Sequence, residues 1–372
     1  MANRLEKTIH DLLAKYDIET NGKRPWDLQI HDARFFPRVL SSGSIALGES
    51  YMDGWWDCEA LDQFFHRILK DDIRAHVRAV VPAIAEALVT RLWNSQRKTD
   101  AFRNAQAHYD IGNDLYERML GHRMVYTCGY WNGVNTLDDA QDAKLDLVCR
   151  KIGLKSGQRV LDIGCGWGSF AKFAAERYGA TVVGITVSEA QVSLARERCA
   201  GLPVEIRLQD YRDTTGSFDH VISLGMVEHV GYKNYRSFME VAARCLADDG
   251  LFLLHTIGGR ESVTGFDPWM EKYIFPNAML PSVKQLVGAA EGLFLMEDFH
   301  NFGPDYDRTL MAWCDNVESH WGELKGHYDE RFHRMWRYYL RACAGSFRAR
   351  VNQLWQMVFS KTGVVGGYKT VR

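Results

Sequence analysis

Short apolar runs alternate with helical patterns between residues 158 and 258, and this alternation most constrains how the chain folds. Runs such as RVLDIG and TVVGIT are separated by segments such as SFAKFAAERYG, whose apolar residues have helical spacing. Strands that alternate with helices of this length build a parallel, doubly wound sheet. The sequence therefore predicts an α/β, Rossmann-like domain, preceded by a smaller, mainly helical N-terminal domain.

Composition excludes several classes of protein. The formal net charge of -2 argues against a nucleic-acid partner, because such proteins are usually basic. The eight cysteines are scattered without a CxxC pair, which indicates reduced thiols and no metal site. No apolar segment is long enough to span a bilayer, and the N-terminus lacks the apolar core of a signal peptide. We expect a cytoplasmic protein.

The first 93 residues are predicted to form the small domain, from short helices and turns, with LSSGSIALGESYMDGWWD as a Gly/Ser-rich segment between them. The polar stretch NSQRKTDAFRNAQAHYD is typical of a boundary or linker. Residues 94–372 then form the larger domain. The adjacent Trp55 and Trp56, and the amphipathic AHVRAVVPAIAEALVTRLW, suit either a membrane surface or a helical domain packed on the core.

The last stretch, 331–372, contains nine Lys or Arg and no Asp or Glu. Its apolar residues recur at helical spacing and predict a C-terminal helix that packs on the core; they are Trp336, Leu340, Cys343, Phe347, Val351, Leu354 and Val358. The basic residues then either face solvent or contact anionic phospholipid headgroups, at about 1 kcal/mol per basic residue.

A glycine-rich loop follows the first strand of the alternating region. Asp162 precedes Gly164, Gly166 and Gly168 in LDIGCGWGSF, and a helix follows. Glycines at this point allow a tight turn and let a ligand approach the backbone, although a simple strand-to-helix turn has the same composition. The position at the end of a strand in a strand–helix–strand series favours a nucleotide-type cofactor.

The second and third strands narrow the choice of cofactor. The second ends with Thr186 and Ser188, where a dinucleotide-binding domain has an acidic residue. The combination DxGCGxG is instead similar to the S-adenosylmethionine loop of methyltransferases. After the third strand, Asp210 suits the adenine amino group and Tyr211 its ring, although Asp210 is also a candidate helix cap.

Longer motifs extend this similarity. The chain resembles the bacterial cyclopropane fatty acid synthases, which are related to the mycolic acid cyclopropane synthases, from about residue 100 to 360. The motifs that carry the resemblance include QAHYDIGNDLYERML, YTCGYW, VLDIGCGWGS, GMVEHVG, LFLLHTIG, DPWMEKYIFPN and FGPDYDRTLMAW. The mycolic acid enzymes lack an N-terminal segment of this size, so the region before Ala101 favours the phospholipid-modifying branch.

The resemblance implies an activity. It is the transfer of a methylene from S-adenosylmethionine to the cis double bond of an unsaturated acyl chain in a membrane phospholipid. Methyl transfer to the alkene leaves a carbocation, which must be shielded from water until a base removes a proton and the ring closes. The resemblance also implies a homodimer and peripheral association with the inner face of the membrane.

The base implied by the resemblance is a bound bicarbonate. The five residues that would hold it are Cys128, Glu228, His255, Ile257 and Tyr306. His255 and Tyr306 offer donors, Ile257 offers backbone groups, and Glu228 accepts from the bicarbonate OH. Taken singly, Glu228 also suits an ion pair with His229, and Cys128 a small buried side chain.

The resemblance also implies cofactor contacts; besides the glycine loop and Asp210, these are Tyr126, Thr127, Thr186, Gln191 and Tyr211. Gln191 would take the ribose role that an acidic residue has elsewhere. Thr127 and Gly129 depart from the family pattern, in which Ser and Ala are commoner. Two other functions stay open: methyl transfer to an acyl chain or small amine without ring closure, and a lipid-surface protein with a degenerate cofactor pocket.

Overall fold

A computed structural model describes residues 2–70 and 112–372 of the chain. Its helices are α1 (Ala2–Ala14), α2 (Phe35–Met52), α3 (Leu61–Lys70), α4 (Asn113–Leu120), α5 (Leu137–Lys151), α6 (Ser169–Tyr178), α7 (Glu189–Arg198), α8 (Tyr235–Cys245), α9 (Pro268–Tyr273), α10 (Val283–Ala290), α11 (Pro304–Leu324) and α12 (Glu330–Arg348). Its strands are β1 (Gln29–Ile30), β2 (Trp56–Asp57), β3 (Arg159–Ile163), β4 (Thr181–Thr186), β5 (Val204–Leu208), β6 (Phe218–Leu224), β7 (Leu246–Gly259), β8 (Leu295–Asn301) and β9 (Asn352–Ser360).

These elements fall into two units. The sheet unit contains residues 112–265, Asn277–Asp305 and Gln353–Arg372, and the helical unit contains residues 2–70, Phe266–Pro276 and Tyr306–Asn352. Each compact unit is thus built from segments that alternate along the described chain. The functional boundary at residue 93 stays a prediction. The linker stretch and the amphipathic AHVRAVVPAIAEALVTRLW lie outside the described residues.

The sheet unit contains a seven-stranded sheet in the order β5-β4-β3-β6-β7-β9-β8. Neighbouring strands from β5 to β7 are parallel, whereas β8 and β9 are antiparallel. The strand order reverses at β3, which pairs with both β4 and β6. In such sheets the ligand crevice lies beyond the carboxyl ends of the strands at this reversal. The predicted α/β, Rossmann-like fold is confirmed.

Apolar side chains are buried on both faces of this sheet. Phe252 belongs to a core cluster that includes Phe238 of α8 and Leu286 of α10. Its neighbour Leu253 belongs to a second cluster, which includes Leu145 of α5 and residues of α6. Successive strand residues point to opposite faces, so continuous apolar runs are what a sheet covered on both sides requires.

The helical unit has an aromatic core. The ring centroid of Trp56 lies 5.1 Å from Tyr51 and 5.7 Å from Phe64, and Trp269 lies 4.6 Å from Tyr338. Trp56 is fully buried, so one of the two adjacent tryptophans serves the core. Trp55 is only partly buried, and the guanidinium carbons of Arg34 and Arg38 lie 4.5 and 4.6 Å from its ring centroid.

Two local predictions are wrong. The C-terminal helix does not continue to Val358: α12 ends at Arg348, and β9 follows. Arg350 has a φ of 62°, which breaks the helix, and the run from Leu354 to Ser360 is buried throughout, as in a covered strand. The Gly/Ser-rich segment is mostly helical, because its residues 40–52 belong to α2, which is kinked at Gly43.

The arginines of α12 form ion pairs within the helical unit. Arg348 contacts both Asp62 and Asp307, at 2.6 and 2.8 Å. Four other α12 pairs join Arg331 to Asp53, Arg334 to Asp57, Arg337 to Glu318 and Arg341 to Asp62. The basic character of this helix is therefore balanced by carboxylates from elsewhere in the unit, which weakens the interpretation of its arginines as a lipid-binding face.

Across the two described ranges, the helices are all too short or too polar to be candidates for crossing a membrane.

Candidate active site

The glycine-rich loop joins β3 to α6 at the point where the strand order reverses. The N–H groups of Gly164 and Cys165 both donate to the carbonyl of Ile185, which fixes the loop against β4. Gly166 has a φ of 54°, and a Cβ built on it would meet no atom within 4 Å. The loop therefore presents its backbone to open space, as a cofactor that approaches the main chain requires.

The end of β4 continues this surface. The hydroxyl of Thr186 donates to the side-chain oxygen of Gln191 at 2.7 Å, and both residues are buried. Ser188 caps α7 by accepting from the N–H of Gln191. The cap explains why Ser occupies the position after the strand, and it orients Gln191 at the first turn of the helix.

Asp210 and Tyr211 lie at the 3-10 turn Tyr211–Asp213, after β5. Asp210 accepts from the backbone N–H of Arg212 and from its guanidinium, both at 2.9 Å. The capping interaction is therefore present, and an adenine contact at Asp210 stays a prediction. Tyr211 is buried, and its ring packs edge-on against Phe238 at 5.6 Å.

The segment YTCGYW is held by α5. Gln141 donates to the carbonyl of Thr127, and the ammonium of Lys144 donates to the Thr127 hydroxyl, both at 2.8 Å. The N–H of Tyr130 donates to the carbonyl of Ala140 at 2.8 Å. Helix α5 thus binds the hydroxyl and the carbonyl of Thr127 and the N–H of Tyr130.

Cys128 and Gly129 lie in the middle of this segment. The Cys128 side chain is fully buried, and its thiol donates to the carbonyl of Gly129 at 3.1 Å. A Cβ on Gly129 would lie 2.9 Å from the Cβ of Ala140. Glycine therefore permits the close approach of the segment to α5, which gives the departure from the family pattern a physical reason.

Glu228 lies in the 3-10 turn Val227–His229, just past β6. One carboxylate oxygen, Oε1, accepts from the backbone N–H of Ile257 at 2.7 Å, so that N–H is already engaged. Burial raises the pKa of Glu228 to about 7, and the bond from Ile257 opposes this shift. Burial lowers the pKa of His229 to about 4, so its ring is neutral at pH 7.

His255 lies in β7, opposite Leu224 at the end of β6. The side-chain nitrogen of Gln356, on β9, lies 3.3 Å from Nδ1 of His255. Burial lowers the pKa of His255 well below its usual range, with a further contribution from Lys144. A neutral ring that accepts at Nδ1 carries its proton on Nε2, so Nε2 is a donor.

The structure links these segments through Gly225. Its N–H donates to the carbonyl of His255 at 2.8 Å, and a Cβ on Gly225 would lie 2.5 Å from the methyl group of Thr127. The Ile257 N–H joins Glu228 to the same strand as His255. Cys128, Glu228, His255 and the backbone of Ile257 therefore lie in neighbouring segments at one edge of the sheet.

Tyr306 belongs to the helical unit. It is buried, and its ring stacks on Phe347 at a centroid distance of 4.5 Å. Its part in the candidate site stays a prediction. Tyr126 packs edge-on against Tyr116 at 5.3 Å, in the sheet unit.

Two buried polar atoms fit a small hydrogen-bonding anion. Within the ranges that the structure describes, Oε2 of Glu228 and Nε2 of His255 have no hydrogen-bond partner, although both residues are buried. Such atoms are costly unless a partner is supplied. Nε2–H supplies a donor and the carboxylate an acceptor, which matches the oxygens and the OH of bicarbonate.

Sequence reasoning missed three residues of this region: Gln141, Lys144 and Gln356. A signal was present in α5, where Gln141 and Lys144 occur at helical spacing on the same face as the buried Leu137 and Val148. A polar pair on a buried face indicates a specific partner. Gln356 carried no such signal, because β9 was predicted as helix.

Asp162 is a further ionisable group at this edge of the sheet. It is buried, and its pKa is raised to about 7 by burial, against the attraction of Lys144. Lys144 is also fully buried, and burial lowers the pKa of its ammonium to about 7.

Comparison with known proteins identifies the family of the chain. The family profile described as mycolic acid cyclopropane synthetase matches residues 96–357. The chain is 49% identical over 366 residues to the cyclopropane-fatty-acyl-phospholipid synthase of Escherichia coli (strain K12), covering 98% of this chain and 96% of that protein. It is 36% identical to a probable fatty acid methyltransferase of Pseudomonas putida, covering 75% of each.

Solved structures give the same result. The mycolic acid cyclopropane synthase CmaA1, complexed with SAH and CTAB, has a TM-score of 0.66 and 30% identity, covering 70% of this chain and 98% of that one. The match of family profile, sequence and fold is thus consistent along the chain. The chain belongs to the mycolic acid cyclopropane synthetase family, whose members have the fold of S-adenosylmethionine-dependent methyltransferases.

Proposed function

We propose that this protein forms cyclopropane rings on unsaturated acyl chains of membrane phospholipids, with S-adenosylmethionine as carbon donor and bicarbonate as base. The observation that carries the proposal is the pair of unpartnered buried atoms, Glu228 Oε2 after β6 and His255 Nε2 in β7. Ring closure releases one proton, which leaves the methyl group that the cofactor has delivered, and a base must accept it inside a pocket closed to water.

When bound, the cofactor supplies an electrophilic methyl group, and bicarbonate supplies a base for the proton lost on ring closure. The backbone at Gly166 and the side chain of Gln191 would hold the cofactor, because they line the ends of β3 and β4. Thr127, fixed by α5, would orient the reacting end. Alignment of the methyl group with the double bond is the main requirement, since an isolated alkene is a weak nucleophile.

The anion would be oriented by two side chains with opposite roles. His255 donates from Nε2 to an anionic oxygen, and Gln356 keeps the ring in that tautomer. Glu228 accepts the OH through Oε2 while Oε1 is fixed by Ile257. The carbonyl of Ile257, which accepts from the Thr256 hydroxyl at 2.8 Å, has a second lone pair for the same OH.

Because the proposed substrate is a phospholipid, the protein would contact the cytoplasmic side of a bilayer. It would assemble as a homodimer. Trp55 and the exposed Arg34, in the helical unit, combine an aromatic ring with a cation, as membrane interfaces favour. Replacing both with serine in the full-length chain should reduce co-flotation with anionic vesicles, while replacing Trp26 and Arg24 provides a matched control. Equal flotation of all variants would contradict this surface.

The decisive test of the activity uses vesicles of unsaturated phospholipid and S-adenosylmethionine, followed by mass spectrometry of the released fatty acids. Cyclopropanation adds CH2 and keeps the count of rings plus double bonds, with two ring protons at a characteristic upfield NMR shift. A product that retains a double bond and carries a methyl branch would contradict the proposal. The Glu228→Gln variant, incubated in parallel, controls for chemical background.

The alternative is methyl transfer to an acyl chain without ring closure. The similarity to the probable fatty acid methyltransferase of Pseudomonas putida favours it. In that reaction the carbocation either loses a different proton, which gives a methyl-branched alkene isomeric with the cyclopropane, or accepts a hydride from an external reductant, which gives a product heavier by two hydrogens. The mass spectrum identifies the reduced product, and the upfield ring-proton NMR signals distinguish the cyclopropane from the isomeric alkene.

A further inference from the structure

Lys144 is a buried cation that the proposed chemistry does not yet use. It lies on α5, it is 0% exposed, and its ammonium donates to the hydroxyl of Thr127 at 2.8 Å. An ammonium has three donors, and burial of a charged group is costly unless a counter-charge repays it. A hydroxyl needs only one neutral donor. Burial lowers the pKa of Lys144 to about 7, and an anion bound nearby would raise that pKa again and hold the side chain in its charged form.

Among the described residues that would hold the bicarbonate, none supplies a positive charge. The thiol of Cys128 is not a cation, and burial keeps His255 neutral by lowering its pKa. Glu228 is either neutral or negative, and the backbone of Ile257 adds only dipoles. An anion transferred from water into such surroundings is strongly disfavoured unless a cation lies nearby.

Lys144 lies where it can offset that charge. It donates to the residue next to Cys128, and its charge acts on Cys128, Asp162 and His255. Lys151, two turns further along α5, is also buried and also acts on His255, but its ammonium lies 3.1 Å from Asp298. Asp298 therefore balances the charge of Lys151 by direct contact. Asp162 attracts Lys144 electrostatically, but the two form no ion-pair contact among the described residues.

We propose that Lys144 is the positioning residue that supplies the counter-charge for the bound bicarbonate and holds Thr127 at the same time. The inference rests on the proposed function, because it concerns the same anion site. It predicts that bicarbonate affinity, and not only turnover, depends on the charge at position 144.

The experiment measures bicarbonate binding without catalysis. Thermal unfolding of the full-length protein is followed at constant ionic strength, with chloride exchanged for bicarbonate, in the absence of S-adenosylmethionine. A ligand that binds the folded state raises Tm with concentration. Wild type should show this rise, and Lys144→Met should need about tenfold more bicarbonate or more for the same rise. Lys151→Met is the matched control, because Asp298 keeps its contacts with Arg372.

A second variant guards against misfolding. Lys144→Arg keeps the charge and should keep the bicarbonate response within about threefold, since guanidinium and ammonium both balance an anion. If Lys144→Met does not fold, the Lys144→Gln variant is compared with Lys144→Arg in the same assay. A folded Lys144→Arg variant that responds as weakly as the neutral variants would overturn the proposal.

The remaining outcomes are also informative. If the neutral variants keep the wild-type bicarbonate response but bind S-adenosylmethionine more weakly in calorimetry, Lys144 serves the cofactor and the inference is wrong. The same conclusion follows if Lys151→Met loses as much bicarbonate response as Lys144→Met. If wild type itself shows neither a Tm rise nor bicarbonate-dependent activity, the proposed use of bicarbonate has failed, which is a distinct result.

Discussion

The backbone N–H of Ile257 donates to Oε1 of Glu228 at 2.7 Å, and this bond joins the turn after β6 to strand β7. It fixes one carboxylate oxygen and leaves the other directed elsewhere. The carboxyl group is therefore oriented by the backbone of the neighbouring strand before any ligand binds. Preorganisation of this kind lowers the cost of orienting a catalytic group during reaction.

Replacement of Glu228 by glutamine should impair turnover far more than cofactor binding. The amide keeps the size of the side chain and can still accept from Ile257, but it cannot draw a proton from the OH of the anion. We expect kcat to fall by about 100-fold or more, since general acid–base groups contribute on this scale. Calorimetry should give an unchanged affinity for S-adenosylmethionine. Normal activity in bicarbonate-depleted buffer would contradict the assigned role.

The same substitution has a pH-dependent effect on stability. Burial raises the pKa of Glu228 to about 7 in the folded protein, above its ordinary value of 4.5. The folded state therefore holds the proton more tightly, and wild type loses stability relative to Glu228→Gln as pH rises from about 4.5 through 7. The full difference in unfolding free energy is on the order of 3 kcal/mol above pH 7. Urea unfolding of both proteins at pH 5, 6, 7 and 8 measures it, and a pH-independent difference would contradict burial of the carboxyl.

Gln356 should control the tautomer of His255. Replacing it with methionine keeps the volume and removes the donor to Nδ1, so the ring can move its proton away from Nε2. We expect turnover to fall by about tenfold or more, because the donor toward the anion is lost for part of the time. Nitrogen NMR of the labelled histidine checks the tautomer directly. A variant with reduced activity but an unchanged tautomer would show that Gln356 acts in another way.

Gly129→Ala should destabilise the fold by about 1 to 3 kcal/mol, because the new methyl group would overlap Ala140. Ala140→Gly in the same protein should recover only part of this loss. The Ala140 carbonyl carbon lies 3.2 Å from the new methyl group, and glycine within α5 costs about 1 kcal/mol. Full recovery, or no loss at all, would mean that the segment moves away from the helix easily.

Arg348→Met should destabilise the helical unit by about 3 kcal/mol, because it removes the cation that bridges Asp62 and Asp307 and leaves Asp62 only the longer contact of 3.8 Å from Arg341. Adding Asp307→Asn should restore part of the stability by removing the repulsion. The midpoint of urea unfolding measures both changes. An equal loss in the single and double variants would indicate that packing of the arginine stem, and not its charge, is what matters.

The sheet of this protein could be predicted from sequence because its signal is local. The strands around Leu161 and Val221 are short runs of mainly apolar residues, and each intervening helix has its own periodicity. The glycine loop could be placed for the same reason. The end of the chain could not be predicted in this way. Its apolar residues from Trp336 to Val358 recur at helical spacing, but the positive φ of Arg350 ends the helix.

The candidate site was predictable only as far as its motifs extend. Glu228 and His255 follow strands, so their meeting at one edge follows from parallel topology. The bond from Ile257, which occupies an N–H expected for the anion, depends on the turn after β6 and on no sequence pattern. Lys144 contacts Thr127 because one helix packs on one extended segment, and such tertiary contacts leave only a weak trace in a single sequence.

The interleaved construction of the helical unit has a consequence for biosynthesis. Asp62 and Arg348 are 286 positions apart, so a ribosome that adds about 5 to 20 residues per second delivers the second roughly 15 to 60 s after the first. Until then Trp56 and Phe64 lack α12, the helix that covers them in the finished fold. The nascent N-terminal region thus spends most of translation with an uncovered aromatic surface, and it is the part of this chain most in need of a chaperone.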